Sequence, residues 1–178
     1  MSDFDIVLLS SINVGRSNRI GNPELKNALE RLEFPDARAV MQSGNLIIEN
    51  ASAKSNHELE DVLEYGLKET LELETHAFAS RASTLKQRVS NPPWTAQPNR
   101  IHLFVHKTPI TGEALDKLHR ALKDTEEISL DNHHFWLHAP DGLARSKIAA
   151  RASSIIGQPV TARSLSSLGK ILAAAAPP

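Results

Sequence analysis

The chain has 178 residues, 40% of them hydrophobic and 23% charged, which is enough apolar material for a real core and excludes a disordered tail or a coiled coil. Its formal net charge of −1 excludes a global field that draws in nucleic acid or an anionic membrane, so any polyanion site has to be a local patch. The absence of cysteine excludes disulfides, thiolate catalysis, iron–sulfur clusters and cysteine-based zinc sites.

Phe4 to Leu9 is a short apolar run ahead of Asn13 and Gly15, which predicts a strand covered on both faces and followed by a loop. Asn22-Pro23 predicts a helix start, with asparagine as the cap and proline in the first turn; Leu25, Ala28, Leu29 and Leu32 continue at helical spacing. Arg38 to Gln42 and Leu46 to Glu49 flank Ser43-Gly44-Asn45, whose glycine can take the positive φ of a hairpin turn. Ser55 with Glu58 forms a capping-box pattern for a long helix carrying Leu59, Val62, Leu63, Leu67 and Leu71. A strand over His76 to Ala79 and a short helix around Leu85 and Val89 follow, ending before Asn91-Pro92-Pro93.

The second half repeats the order. Ile101 to Val105 reads as a strand, Leu115, Leu118 and Leu122 as a helix begun near Thr111, and Glu127 to Leu130 with His134 to His138 as a hairpin across Asp131-Asn132. Ile148, Ala152 and Ile155 mark a helix closed by Gly157 and Pro159. Val160 to Ala162 is a short strand, and Ser164 can cap a last helix through Leu165, Leu168 and Leu172. The pattern predicts an α+β protein of two tandem ferredoxin-like (split βαβ) units with antiparallel sheets and an extra helix after each. The first unit spans 1–90 and the second 100–178, joined by a proline-rich linker over 91–99.

These residues resemble a known family, the bacterial domain-of-unknown-function family 1697. Its members open with L-L-R-G-I-N-V-G-G, and this chain has Leu8-Leu9-Ser10-Ser11-Ile12-Asn13-Val14-Gly15-Arg16. The family's Q-S-G-N is matched by Gln42 to Asn45, its D-G-x-x-R-S-K by Asp141 to Lys147, and its T-A-R by Thr161-Ala162-Arg163. The resemblance implies a tandem ferredoxin-like fold and implies no reaction, substrate or cofactor. Ser10, Ser11, Arg16 and Leu165 replace the arginine, two glycines and tryptophan usual in the family, so a site built from those family residues is altered here.

Three groups of residues are candidates for function. In a split βαβ unit the loop after the first strand, the start of the first helix and the hairpin turn share one end of the sheet. Asn13, Gly15, Arg16, Arg19, Ser43, Gly44 and Asn45 are therefore expected to converge, offering amide groups and two guanidinium groups to an anion. The alternative is that the glycines serve turn geometry and the arginines are solvated. Asp141, Gly142, Arg145, Ser146 and Lys147 are expected to lead into a helix N-terminus, with Arg163 as a further cation; the alternative there is a helix capped by Asp141 beside surface charges.

The third group comes from alternation. If Ile101, Leu103 and Val105 lie under the helices, then His102, Phe104 and His106 share the opposite face with His134, Trp136 and His138. An open sheet bearing rings is how single-stranded nucleic-acid binders stack bases, so His102, Phe104, His134 and Trp136 form a candidate stacking face; the alternative is that they fill an interface. No metal site is expected, because H-x-x-x-H along a strand sets its ligands ~13 Å apart. Ser10, Ser43 and Ser146 lie in these loops without a nameable base, and no catalytic motif or cofactor signature is present.

A binding protein for an anionic small molecule or RNA is the expected function. The alternatives are a small enzyme acting on a phosphorylated or carboxylated metabolite in a cleft between the two units, and a structural or regulatory protein without ligand. The start of the chain lacks the pattern of a signal peptide and no stretch reaches the ~20 apolar residues that cross a bilayer, so a cytoplasmic location without a membrane partner is expected.

Overall fold

The computed structural model describes residues 4–12, 19–49, 55–131 and 133–176. The first sheet contains β1 (Asp5–Leu9), β2 (Arg38–Val40), β3 (Asn45–Ile48) and β4 (Ala77–Arg81), with α1 (Asn22–Arg31), α2 (Asn56–Leu71) and α3 (Ala82–Ser90) between and after the strands. The second contains β5 (Ile101–His106), β6 (Glu127–Leu130), β7 (His134–His138) and β8 (Val160–Ser164), with α4 (Gly112–Ala121), α5 (Lys147–Ile156) and α6 (Leu165–Ala175). Strand orders are β2-β3-β1-β4 and β6-β7-β5-β8, and every pair is antiparallel. Each half is thus a ferredoxin-like unit followed by one more helix.

Two compact units divide the chain into 1–88 with 171–178, and 89–170. The last residues, placed with the second half by their position in sequence, group with the first unit. There the Arg38 guanidinium donates to the Ala174 carbonyl at 3.0 Å.

In the first unit Val7, Leu9, Leu46, Ile48 and Ala77 meet Leu25, Ala28 and Leu29 of α1 and Leu59, Leu63 and Leu67 of α2. Burying each of the valine, leucine and isoleucine side chains among them stabilises the fold by roughly 1.5–3 kcal/mol. The intervening residues of β1 and β3, Ile6, Leu8 and Ile47, are buried too, so both faces of these strands are dry, as the uninterrupted apolar run implies. The Ser55–Glu58 capping box forms with reciprocal bonds of 3.2 Å (Glu58 N–H to Ser55 Oγ) and 2.7 Å (Ser55 N–H to Glu58 Oε2). Asn22, expected as the cap of α1, is instead its first residue. Gly21 is the cap, and its N–H donates to Glu24 Oε2 at 2.9 Å.

The open edge of β4 is also satisfied from within the unit. Ala77 N–H donates to Glu64 Oε1 and Ala79 N–H to Glu60 Oε1, both at 2.8 Å. Two glutamates of α2 therefore occupy amide groups that a foreign strand could otherwise pair with.

In the second unit Phe104, Phe135 and Leu137 of the sheet pack with Ala114 and Leu118 of α4 and Ile148, Ala152, Ile155 and Ile156 of α5. Thr111 caps α4, Ser146 caps α5, and Ser167 N–H donates to Ser164 Oγ at the start of α6. Asn132 of the expected hairpin turn lies outside the described residues.

Candidate anion-binding site

Asn13, Gly15 and Arg16 lie outside the described residues. Of their expected partners, Arg19 lines a groove at the start of α1 together with Gln42 of the hairpin turn and the carboxylate-bearing Glu24. The helix start and the turn do come together. The amide at the cap is nevertheless taken by Glu24, which puts negative charge where an anion was expected.

Ser43, Gly44 and Asn45 serve the turn itself. Gly44 has φ +69°, and a Cβ there meets Leu9 Cβ at 3.0 Å and Ile12 Cβ at 3.3 Å. Asn45 is fully buried, and its amide donates to the Val40 carbonyl at 3.0 Å and to Ser43 Oγ at 2.9 Å. Ser10 Oγ accepts from His76 N–H at 3.1 Å, so the hydroxyls of Ser10, Ser43 and Ser146 all take part in local backbone or turn structure.

Around α5, Asp141 does not cap the helix; its carboxylate accepts from Thr125 Oγ1 at 3.2 Å, and Ser146 is the cap. Gly142 has φ +94°, and the Arg100 guanidinium lies across its bare Cα, 2.6 Å from where a Cβ would stand. Arg145 closes a short 3-10 turn and is exposed, as is Lys147 at the first position of α5. Arg163 does not join them. It stands opposite Leu103 on the sheet face turned away from α4 and α5, donating to Thr161 Oγ1 and to the Ala162 carbonyl, each at 2.9 Å. Burial lowers its pKa to about 10, which leaves it cationic at neutral pH.

The expected stacking face is split by the sheet. Residues directly opposite in an antiparallel pair point to the same side. Phe104 is opposite Phe135 and His102 opposite Leu137, whereas Trp136 is opposite Leu103 and His134 opposite Val105. Phe135 and Leu137 lie under the helices, so Phe104 and His102 lie there with them, and Trp136 and His134 occupy the other side. None of the four is open: Phe104 is 2% exposed, Trp136 5%, His102 5% and His134 7%. Phe104 stacks on Phe135 with ring centroids 4.6 Å apart.

The structure brings together a different set of residues. Lys117 and Arg120 of α4 and Lys147, Arg151 and Ser154 of α5 line one groove of about 470 Å³, floored by Ala121 and Ile155. All four cations are exposed. Lys117 is held by Glu113 at 2.7 Å, and its hydrogen bond and charge, with Arg120 adding charge, keep the Glu113 carboxyl below its ordinary range. Arg120, Lys147 and Arg151 make no ion pair among the described residues. Of this set only Lys147 is prominent as a sequence motif. The signal for the others is spacing: Lys117 and Arg120 at i,i+3, and Lys147, Arg151 and Ser154 at i,i+4,i+7, each fall on one helix face. Ferredoxin-like packing sets α4 beside α5, which turns two ordinary basic faces into one groove.

With this geometry in view, residues 1–136 match the family model described as "Protein of unknown function (DUF1697)". The chain belongs to this family. The matched stretch contains Gln42 to Asn45, while Asp141 to Lys147 and Thr161 to Arg163 lie beyond it. The fold is similar to that of the conserved bacterial protein SP0830 from Streptococcus pneumoniae, with a TM-score of 0.71 and 16% identity over 98% of this chain and 99% of that one. At that identity the likeness is one of fold. No curated protein matches. No described helix is long and apolar enough to cross a membrane.

This member of the family buries two imidazoles under the helices of its second unit, and they make its stability depend on acid. His102 is held below the ordinary imidazole range by burial first, against a bond to the Arg100 backbone, with the Arg100 charge adding to the lowering. His106 is lowered by burial first, against its bond to the Thr108 carbonyl at 2.8 Å, with His133 adding to the lowering. Unfolding releases both to ordinary values near 6.5, so below that pH the unfolded chain binds more protons than the folded one. Stability is therefore expected to fall as pH drops through about 6.5 and to level off once the folded-state pKa values are passed. Thermal melts between neutral and mildly acidic pH check this. A His102→Gln/His106→Gln variant with the same acid-induced loss as the parent contradicts the assignment.

Proposed function

We propose that this protein is a binding protein for an anionic, phosphorylated ligand, held in the α4–α5 groove of the second unit. The observation that carries the reading is the convergence of Lys117, Arg120, Lys147 and Arg151 on one concave surface, with only Lys117 in an ion pair among the described residues. Like charges gathered on one surface repel one another, so the arrangement costs stability that a bound anion restores. Lys147 is the first residue of α5, so the positive end of that helix's dipole lies at one end of the groove. Compared with the described lining of the groove at the start of α1, this groove has more positive charge and less competing carboxylate.

Thermal-shift measurements with inorganic phosphate, sugar phosphates, nucleotides and short RNA test the reading. A ligand at 100 times its Kd stabilises the folded state by about 2.7 kcal/mol, which reads as a clear rise in Tm. The rise is expected to shrink with added salt and to disappear in a Lys147→Ala/Arg151→Ala variant, whose exposed substitutions leave the core intact. If no anion moves the Tm, or the double variant responds like the parent, the proposal fails.

A further inference from the structure

Resting on that reading of the groove, we infer that its ligand is a compact polyphosphate group, a diphosphate or triphosphate carried by a small molecule, and not a nucleic-acid strand. Three observations lead there. The first is charge. Four cations line the groove and the Glu113 carboxylate pairs with one of them, leaving a net of +3, from 4 − 1. A phosphomonoester carries at most two negative charges near neutral pH, which is too few to balance this set, whereas a diphosphate or triphosphate matches it.

The second is extent. Lys117 and Arg120 are three residues apart and Lys147 and Arg151 four, so each pair spans about 4.5–6 Å along its helix. Within the groove's lining the cations occupy one turn of each helix: Ser154 follows them on α5, and Ala121 ends α4. A strand-binding groove tracks several successive phosphates, and this one is too short to do so. Its volume of about 470 Å³ lies within the range of small-molecule sites.

The third is the floor. Ala121 and Ile155 are the apolar residues of the lining, and no ring is among the described residues around it. Single-strand binders gain about 1–3 kcal/mol per base from stacking on rings. The phenyl and indole rings of this unit are committed elsewhere: Phe104 and Phe135 stack on each other inside the core, Trp136 is on the far face of the sheet, and Trp94 lies against His138. A base entering the groove finds no ring to stack on, so affinity comes mainly from charge density, which favours phosphates joined directly to each other.

Calorimetric titration of the full chain with inorganic phosphate, pyrophosphate, tripolyphosphate, ADP, ATP and an octaribonucleotide at two salt concentrations decides the matter. Pyrophosphate is expected to bind at least about tenfold more tightly than phosphate, equivalent to about 1.4 kcal/mol, and tripolyphosphate more tightly still. ADP and ATP are expected to track pyrophosphate and tripolyphosphate, which shows that the phosphates and not the nucleoside are recognised. Arg151→Ala and Arg120→Ala are each expected to weaken tripolyphosphate about tenfold, and Lys86→Ala, at an exposed cation of α3 outside the groove, to leave it unchanged.

If the octaribonucleotide binds more tightly than tripolyphosphate at the higher salt, and loses that binding in Arg151→Ala, the inference is overturned while the groove remains an anion site. The same holds if phosphate binds as well as pyrophosphate. If none of these compounds binds, the groove reading itself falls.

Discussion

Phe104→Ala is expected to destabilise the protein by about 3–5 kcal/mol, the cost of deleting a buried ring and leaving a cavity behind it. Phe104 is 2% exposed and packs with Leu118 of α4 and Ile148 of α5, and its ring lies on that of Phe135. The expectation separates the two possible orientations of β5. Had Phe104 faced an open surface, its truncation would cost well under 1 kcal/mol, as surface substitutions do. A Phe135→Ala variant is expected to lose a similar amount. The Phe104→Ala/Phe135→Ala pair is expected to lose less than the sum of the two, because stacked rings contribute about 0.5–1.5 kcal/mol beyond their separate burial. Urea denaturation of the four proteins measures this. A near-neutral Phe104→Ala would place the ring outside the core and refute the assignment of faces.

Gly44→Val is expected to rank next, through two costs that add at one residue. The residue is held at φ +69°, where a β-branched side chain is strained by about 1–3 kcal/mol. Its Cβ also falls 3.0 Å from Leu9 Cβ and 3.3 Å from Ile12 Cβ, atoms anchored close to the main chain that cannot swing aside, and overpacking of this kind adds about 1–3 kcal/mol. The Leu9 N–H bond to the Gly44 carbonyl, at 2.7 Å, couples the turn to β1, so a shift of the glycine disturbs the central strand. Denaturant unfolding compared with Gly157→Val separates the two costs. Gly157 has φ +72° but nothing near its Cβ position, so it reports the backbone strain alone. Equal losses at the two positions would remove the packing half of the account.

These two residues illustrate different degrees of legibility. The glycine of Ser43-Gly44-Asn45 announces a turn by composition, and the structure assigns it the positive φ that such a turn needs. That Asn45 closes the same turn from a fully buried position, with its amide on Val40 and Ser43, depends on the neighbouring strand and is invisible in the tripeptide. The capping box at Ser55 and Glu58 is likewise local chemistry and forms as read. The cap of α1 moves by one residue because Glu24, not Asn22, reaches the free amide.

What the amino-acid sequence determined by itself is the order and kind of the elements, and through their repetition the two ferredoxin-like units. Periodicities near 3.6 and 2 and the residues that punctuate them are local properties, carried by each segment wherever it packs. What only the tertiary structure decided is which side of β5 meets the helices and which charges meet each other. Ile101 to His106 is apolar or buried along nearly its whole length, so alternation cannot tell one face from the other, and the phase is set by pairing Phe104 with Phe135 across the sheet. Lys117 and Arg120 are 27 or more positions from Lys147 and Arg151, and the shared groove exists only once α4 and α5 are laid side by side on one face. Both depend on residues far apart in the chain. A segment read alone carries its own pattern but not its partner's.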